Sequence, residues 1–112
     1  MELKQDMIKG TVVPIVLTLL QERSMYGYEI IKVVNERTTN ALQCKEGTLY
    51  PWLHRLEQEG LIRGEWGVAD SGRNRKYYHL TRRGAQALKA SVRDWVSVSR
   101  AVNAVLLGAA PA

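Results

Sequence analysis

The sequence is poor in the residues that carry metal, disulfide and covalent chemistry. Its 112 residues include one cysteine, Cys44, and two histidines, His54 and His79. A lone cysteine forms neither an internal disulfide nor a cysteine-based zinc site within one chain. There is no His-Glu-x-x-His spacing and no glycine-rich phosphate loop. We therefore predict no metal site, no cofactor and no enzymatic activity, and we expect Cys44 to be a partly buried thiol in a reducing compartment.

Long apolar runs are also absent. The longest, TVVPIVLTLL at 11–20, is about half the length of the roughly 20 residues that a membrane helix needs, and it contains Pro14. The first ten residues, MELKQDMIKG, contain no apolar signal region. We therefore expect a soluble, cytoplasmic protein with no membrane partner.

Acidic residues are outnumbered by basic ones. Sixteen Lys and Arg residues stand against 11 Asp and Glu residues, which gives a formal net charge of +5. This balance favours an acidic partner, with nucleic acid as the first candidate and an anionic membrane surface as the second. The hydrophobic fraction of 46% is ordinary for a globular chain, and the length predicts one domain with a modest core.

Three predicted helices occupy the first half of the chain. Residues 11–21 are apolar at helical spacing, with Thr11 as the expected cap and Pro14 in the first turn, and residues 2–9 are expected to form a helical lead-in. The stretch YGYEIIKVVNERT predicts a second helix, which follows a short turn in ERSMYG. A third helix at 46–59 ends at Gly60, which suits a left-handed cap. The residues expected to face inward from the second helix are Ile30, Ile31 and Val34.

A hairpin and a long helix are predicted to follow. LIRGEW and KYYHLT are predicted strands joined by the turn-rich GVADSGRNR, and Thr81 is the predicted N-cap of the last helix. The order predicts a mainly α fold with a two-stranded wing. We divide it into a winged helix-turn-helix domain at 1–80, a C-terminal dimerisation helix at 81–107 and a disordered tail at 108–112. The aromatic and apolar side chains expected in the core of the wing are Trp66, Tyr78 and Leu80.

The third helix has a narrow apolar side and a broad polar side. Such a helix fits the major groove of DNA, and its first-turn N–H groups attract phosphate. We predict that His54 and Arg55 reach base edges, and that Tyr50 contacts a backbone phosphate. Thr48 lies near the N-terminus, where it can bond a phosphate or a base edge, and Lys45 stands at the cap position as a weak cap or a phosphate contact. A solvated amphipathic helix without a partner gives the same pattern, so this helix alone leaves both interpretations open.

The predicted wing is strongly basic. Residues 71–83 include no acidic side chain and five basic ones, of which Arg73, Arg75 and Lys76 lie in or beside the loop. A flexible basic loop between two strands suits the phosphate backbone or the minor groove. The alternative is a solvated basic loop.

The last helix carries a heptad seam. Its apolar arc is wider than one small domain easily covers, which predicts a two-fold homodimer with two recognition helices about one DNA turn apart. The alternative is a helix that folds back on its own domain. Trp95 is either packed in the seam or forms a platform for a planar aromatic molecule. The predicted dimer residues are Leu88, Val92, Trp95, Ser99, Val102 and Leu106.

Three stretches carry a family resemblance. YGYEI at 26–30, EGTLYPWLHRLEQEGLI at 46–62 and RKYYHLTRRGAQAL at 75–88 resemble the PadR family of transcriptional regulators, in particular its small single-domain members. The resemblance implies a repressor that dimerises through helices at both ends of the chain. It places Thr48, Tyr50 and Arg55 at recognition-helix positions, and Tyr28 in the helix that braces them.

The resemblance also places Arg73, Arg75 and Lys76 in the wing. It puts Trp95 where some small relatives bind aromatic compounds between the terminal helices. The sequence therefore predicts a dimeric regulator, a repressor, that reads a palindromic operator with helix 46–59 and is released by a small aromatic effector. A winged-helix module that binds another protein and never reads DNA remains the alternative.

Overall fold

Four helices and three short strands follow one another in the computed structural model, which describes residues 10–108. The helices are α1 (Val12–Glu22), α2 (Gly27–Arg37), α3 (Glu46–Gln58) and α4 (Arg82–Leu106), and the strands are β1 (Met25–Tyr26), β2 (Ile62–Val68) and β3 (Asn74–Leu80). The predicted order of helices, hairpin and long helix is confirmed. The predicted lead-in at 2–9 and residues 109–112 of the predicted tail lie outside the described residues.

The sheet has one strand more than the sequence predicted. Strands β2 and β3 form the expected antiparallel hairpin, and β1 joins the free edge of β3 in the order β1-β3-β2. Met25 lies opposite Tyr78, and Tyr26 lies opposite Tyr77. The sequence predicts a turn in ERSMYG, and Tyr26 also begins the stretch predicted as the second helix. The strand is not predicted, because two residues are too few to show the alternation by which a strand is recognised.

The core lies between the first three helices and one face of the sheet. Leu17 of α1, Met25 of β1, Leu53 of α3 and Ile62 of β2 are all completely or almost completely buried. The inward orientation predicted for α2 is confirmed, since Ile30, Ile31 and Val34 are buried. The predicted burial of Cys44 is also confirmed, and desolvation raises the pKa of its thiol.

Two of the three predicted caps are confirmed. Gly60 adopts φ +78° after α3, and Thr81 accepts a hydrogen bond from the backbone N–H of Gly84 at 3.0 Å. Thr11 precedes α1 as expected, but its side chain makes no capping hydrogen bond, because its backbone is already near-helical (φ −113°, ψ −36°). Pro14 is the third residue of α1, so its missing N–H costs no intrahelical bond.

The core predicted for the wing is only partly correct. Tyr78 is buried and Leu80 is half-buried, whereas 71% of the Trp66 surface is exposed. The reason is the length of the hairpin. The end of β2 near Ile62 is buried, and Trp66 lies farther along the strand, where its side chain is largely exposed.

Candidate nucleic-acid interface

Helix α3 presents its predicted polar side to solvent. Leu49, Leu53 and Leu56 are buried, whereas His54 and Arg55 are exposed. Thr48 is half-buried in the first turn. Lys45 is the N-cap in an extended conformation, and its side chain makes no capping hydrogen bond. The predicted two-faced helix is therefore present, with its N-terminus at the surface.

Arg55 is held along the helix axis. Its guanidinium lies over the Trp52 ring at 5.0 Å from the centroid, and its Nε donates to Oε1 of Glu59 at 3.3 Å. These contacts are on the surface and hold the side chain only weakly. The Arg55 side chain can therefore change its conformation at small cost.

Tyr50 packs against the start of α2. Its ring lies over Gly27, where a Cβ atom would collide with the phenol oxygen and the ring carbons. Burial raises the pKa of the Tyr50 phenol, and the Glu46 carboxylate raises it further, whereas Arg75 lowers it. The phenol therefore stays protonated, and Tyr50 fixes α3 against α2 while its remaining surface faces solvent. Tyr28, in the first turn of α2, is also exposed.

The wing is clamped to α3 at its base. Glu57 accepts hydrogen bonds from Lys76 Nζ at 3.0 Å and from the backbone N–H of Gly64 at 2.9 Å. The hydrogen bond from Lys76 lowers the pKa of Glu57, and the same bond raises the pKa of Lys76. Gly64 leaves no room for a side chain beside this pair. Lys76, predicted as a DNA contact, is therefore paired with Glu57 and ties the wing to α3.

Arg75 lies inside an aromatic cluster. Its guanidinium stacks over the Tyr26 ring at 4.4 Å, and Tyr26 meets Tyr77 edge to face with 5.5 Å between the ring centroids. The Arg75 Nε is buried and has no hydrogen-bond partner among residues 10–108. Arg75 therefore connects the wing to β1, and only part of its guanidinium faces outward.

Arg73 occupies the tip of the wing. A tight turn closes the hairpin, with hydrogen bonds from the Ala69 N–H to the Arg73 carbonyl at 2.9 Å and from the Gly72 N–H to the Ala69 carbonyl at 2.8 Å. Gly72 has φ +82°, which suits glycine. Arg73 is exposed. Of the three predicted wing residues, it is the one placed at the tip.

Most of the seam predicted on the last helix is exposed in the single chain. Leu88 is buried against the rest of the chain, but Trp95 is 47% exposed and Leu106 is 72% exposed. Val92 and Val102 are exposed and Ser99 is half-buried. Helix α1 packs along the N-terminal part of α4, so the helix folds back over only part of its length.

A groove opens beside this seam. It has a volume of about 630 Å³ and runs between α1, the end of α2 and α4. Its lining is mainly apolar, with Ile15 and Leu42 on one side and Val92 and Trp95 on the other. The ring predicted as an aromatic platform therefore lies at the edge of a concave surface.

Between residues 10 and 108, no three His, Cys, Asp or Glu side chains stand close enough together to hold a metal ion. Over the same residues, none of the helices combines the length and the apolar composition that crossing a membrane requires.

Three residues of this surface have positions that the sequence does not predict. Glu57 was not singled out because its role depends on a lysine 19 positions later. Tyr26, which the sequence places between a turn and the second helix, lies in β1, and Trp66, predicted in the core of the wing, is exposed. The alternation of side chains along the two predicted strands could have suggested that Trp66 lies opposite Lys76. It could not have shown that Trp66 is exposed.

Comparison with known proteins identifies relatives along most of the chain. The sequence profile of the transcriptional regulator PadR-like family matches residues 16–90. An uncharacterised protein of Lysinibacillus sphaericus is 36% identical over 105 residues, which is 94% of this chain and 96% of that protein. A transcriptional regulator of Mycobacterium tuberculosis is 38% identical over 84 residues, which is 75% of this chain and 64% of that protein.

Solved structures agree with this result. A transcriptional regulator from Clostridium thermocellum superposes with a TM-score of 0.83 at 34% identity, covering 91% of this chain and 99% of that one. A PadR-like transcriptional regulator from Bacillus cereus superposes with a TM-score of 0.76 at 33% identity, covering 91% and 97%. With the four helices, the wing and the polar reading helix described above, these matches show that the chain belongs to the PadR-like family of DNA-binding transcriptional regulators.

Proposed function

We propose that this protein is a cytoplasmic, homodimeric repressor that reads a palindromic operator with α3 and the wing. The observation that carries the proposal is the clamp of Glu57, Gly64 and Lys76, which holds a basic hairpin at a fixed angle beside the exposed side of α3. A fixed angle matters because a helix in the major groove and a wing on the neighbouring backbone or minor groove must fit one duplex geometry together.

The predicted contacts divide by their chemistry. His54 and Arg55 stand on the exposed side of α3, where they can reach base edges. Lys45, Thr48 and Tyr50 stand toward its N-terminal half, and Tyr28 stands in the adjacent first turn of α2. Hydroxyl groups, cations and helix N-termini suit phosphate contacts, which set the register of the protein on the duplex. Bases would thus be read near the middle of α3.

Selection of bound duplexes from a randomised library tests this function. We expect an enriched palindrome with half-sites about one helical turn apart, and an affinity whose logarithm falls linearly with the logarithm of salt concentration. Replacing Arg55 by Ala should relax the preference at one position of each half-site. Equal recovery of all sequences by the native protein would contradict sequence-specific reading and would favour the protein-binding alternative.

Release by a small aromatic molecule is the second part of the proposal. Its support is the mainly apolar groove of about 630 Å³ with Trp95 at its edge. Aromatic faces stack on planar guests, and apolar concave surfaces are the usual sites for them. We expect planar aromatic cations and neutral compounds to quench tryptophan fluorescence in the native protein but less in the Trp95→Leu variant. Equal quenching in both proteins would place the ligand elsewhere.

A further inference from the structure

Two large apolar side chains protrude from the outer half of the wing. Trp66 is 71% exposed and Val68 is 70% exposed. They are two residues apart on β2, so they project from the same face. In the register of the hairpin, Trp66 lies opposite Lys76 and Val68 lies opposite Asn74. Neighbouring exposed apolar side chains mark a binding surface more often than a single exposed apolar side chain does.

This face of the wing looks toward the recognition helix. Lys76, directly across from Trp66, reaches back to Glu57 of α3. Gly64, on the same face and two residues before Trp66, donates to the same carboxylate. Trp66 therefore lies on the side of the sheet that faces α3, but farther out along the hairpin. We therefore expect a duplex seated on α3 to meet the outer part of this face of the wing.

The charges around the patch favour a polyanion. Arg73 is exposed at the tip, and Lys76 flanks Trp66. Two nearby carboxylates are offset by positive charge. Glu57 is paired with Lys76. Glu65 lies on the opposite face of β2, near Arg63 and His79. Asp70 is the one acid at the turn. A partner that offers both apolar surface and dense negative charge to this wing is the DNA minor groove, whose walls are deoxyribose and whose rims are phosphate.

We propose that Trp66, supported by Val68, is an apolar wedge of the wing that packs against the deoxyribose wall of the minor groove beside the operator half-site. The inference rests on the proposed DNA-reading function and adds a contact to it. Proteins that bind the minor groove frequently combine apolar side chains, which insert there between base steps, with Arg and Lys side chains that read the groove. The contact is uncharged, so it adds affinity that does not depend on the release of counterions.

The salt dependence of binding separates this role from a phosphate contact. Replacing Trp66 by Ala should lower the association constant for the selected operator by about tenfold, a loss typical of an aromatic contact with nucleic acid. The slope of logarithmic affinity against logarithmic salt should stay unchanged. Trp66→Phe should recover most of the affinity, and Val68→Ser should lose a smaller part. Arg73→Ala is the positive control, since losing one phosphate contact should reduce the slope by about 0.9.

Arg63→Ala provides the matched control, because Arg63 is exposed on the opposite face of the same strand and should leave affinity nearly unchanged. Circular dichroism and sedimentation would show that each variant keeps its fold and association state. Native affinity in Trp66→Ala overturns the wedge but leaves the proposed function standing. A reduced salt slope in that variant, or a change in its association state, also overturns the wedge. Failure of the native protein to bind any duplex removes the proposed function and the wedge with it.

Discussion

Neighbouring basic residues of the wing have different surroundings, although they look alike in the sequence. Arg73 stands exposed at a tight turn, Lys76 is paired with Glu57, and Arg75 is stacked on Tyr26 with a buried Nε. A guanidinium that stacks on an aromatic ring and loses water on that side mainly holds the two elements in position. An exposed guanidinium is available to phosphate. The number of positive charges therefore overstates the number of groups that are available to phosphate.

Single substitutions in the wing test this difference. Arg73→Ala should weaken binding to all duplexes alike and reduce the salt slope by about 0.9. Arg75→Ala should lower the discrimination between operator and random duplex, because the wing loses its stacking contact with β1. Arg75→Lys keeps the charge but cannot stack as a plane, so it should resemble Arg75→Ala. Salt titrations of operator and random duplex provide the measurement, and equal slope changes in Arg73→Ala and Arg75→Ala would contradict separate roles.

The junction between α3, the hairpin and α4 holds these three elements together. Thr81 Oγ donates to the carbonyl oxygen of Gly60 at 2.7 Å while it accepts from the Gly84 N–H. Gly84 allows the start of α4 to lie against the Leu61 backbone, because a Cβ there would collide with the Leu61 carbonyl oxygen. The end of the recognition helix, the first strand of the hairpin and the start of the last helix thus meet at one point.

A pair of glycine substitutions tests this junction. Gly84→Ala should lower the free energy of unfolding by about 1–3 kcal/mol, because a backbone carbonyl cannot move aside as a side chain can. Gly47→Ala is the matched control within α3, where a new Cβ meets open space. It should raise the free energy of unfolding by about 0.5–1 kcal/mol through a less flexible unfolded chain. Urea unfolding measures both, and a neutral Gly84→Ala would contradict the close packing.

The whole molecule is longer than a compact chain of its size. Its radius of gyration is 15.3 Å and its longest dimension is 53 Å, whereas a compact domain of this length has a radius near 13 Å. Helix α4, with 25 residues, accounts for the difference, because its second half projects beyond α1 with an apolar surface. Exposed apolar surface of this extent on a helix is unfavourable in water, and a second copy would cover it with the same surface.

A charge placed in the seam tests the dimer. Val102→Glu should convert a dimer into a monomer in analytical ultracentrifugation, because a buried carboxylate at the interface would have no partner. Arg100→Glu, on the other side of α4, changes charge by more and should leave the dimer intact. The monomer should also bind operator far more weakly, since one half-site alone remains. A native protein that sediments as a monomer at micromolar concentration would contradict the proposal.

The sequence by itself determined which segments are helices, where the hairpin lies and which side of α3 is buried. Those features follow from local spacing, since residues three and four apart share a helix face and turn residues mark the ends. It also determined the family, through the stretches at 26–30, 46–62 and 75–88.

Only the tertiary structure decided which side chains are available to a partner. Met25–Tyr26 becomes a strand because β3 offers unpaired backbone groups, and Lys76 finds Glu57 only after the hairpin packs on α3. Trp66 is exposed because it lies farther along the hairpin than the buried end of β2. All three have the same physical reason. The availability of a side chain to a partner depends on contacts between distant segments, and local periodicity in the sequence does not show where those contacts end.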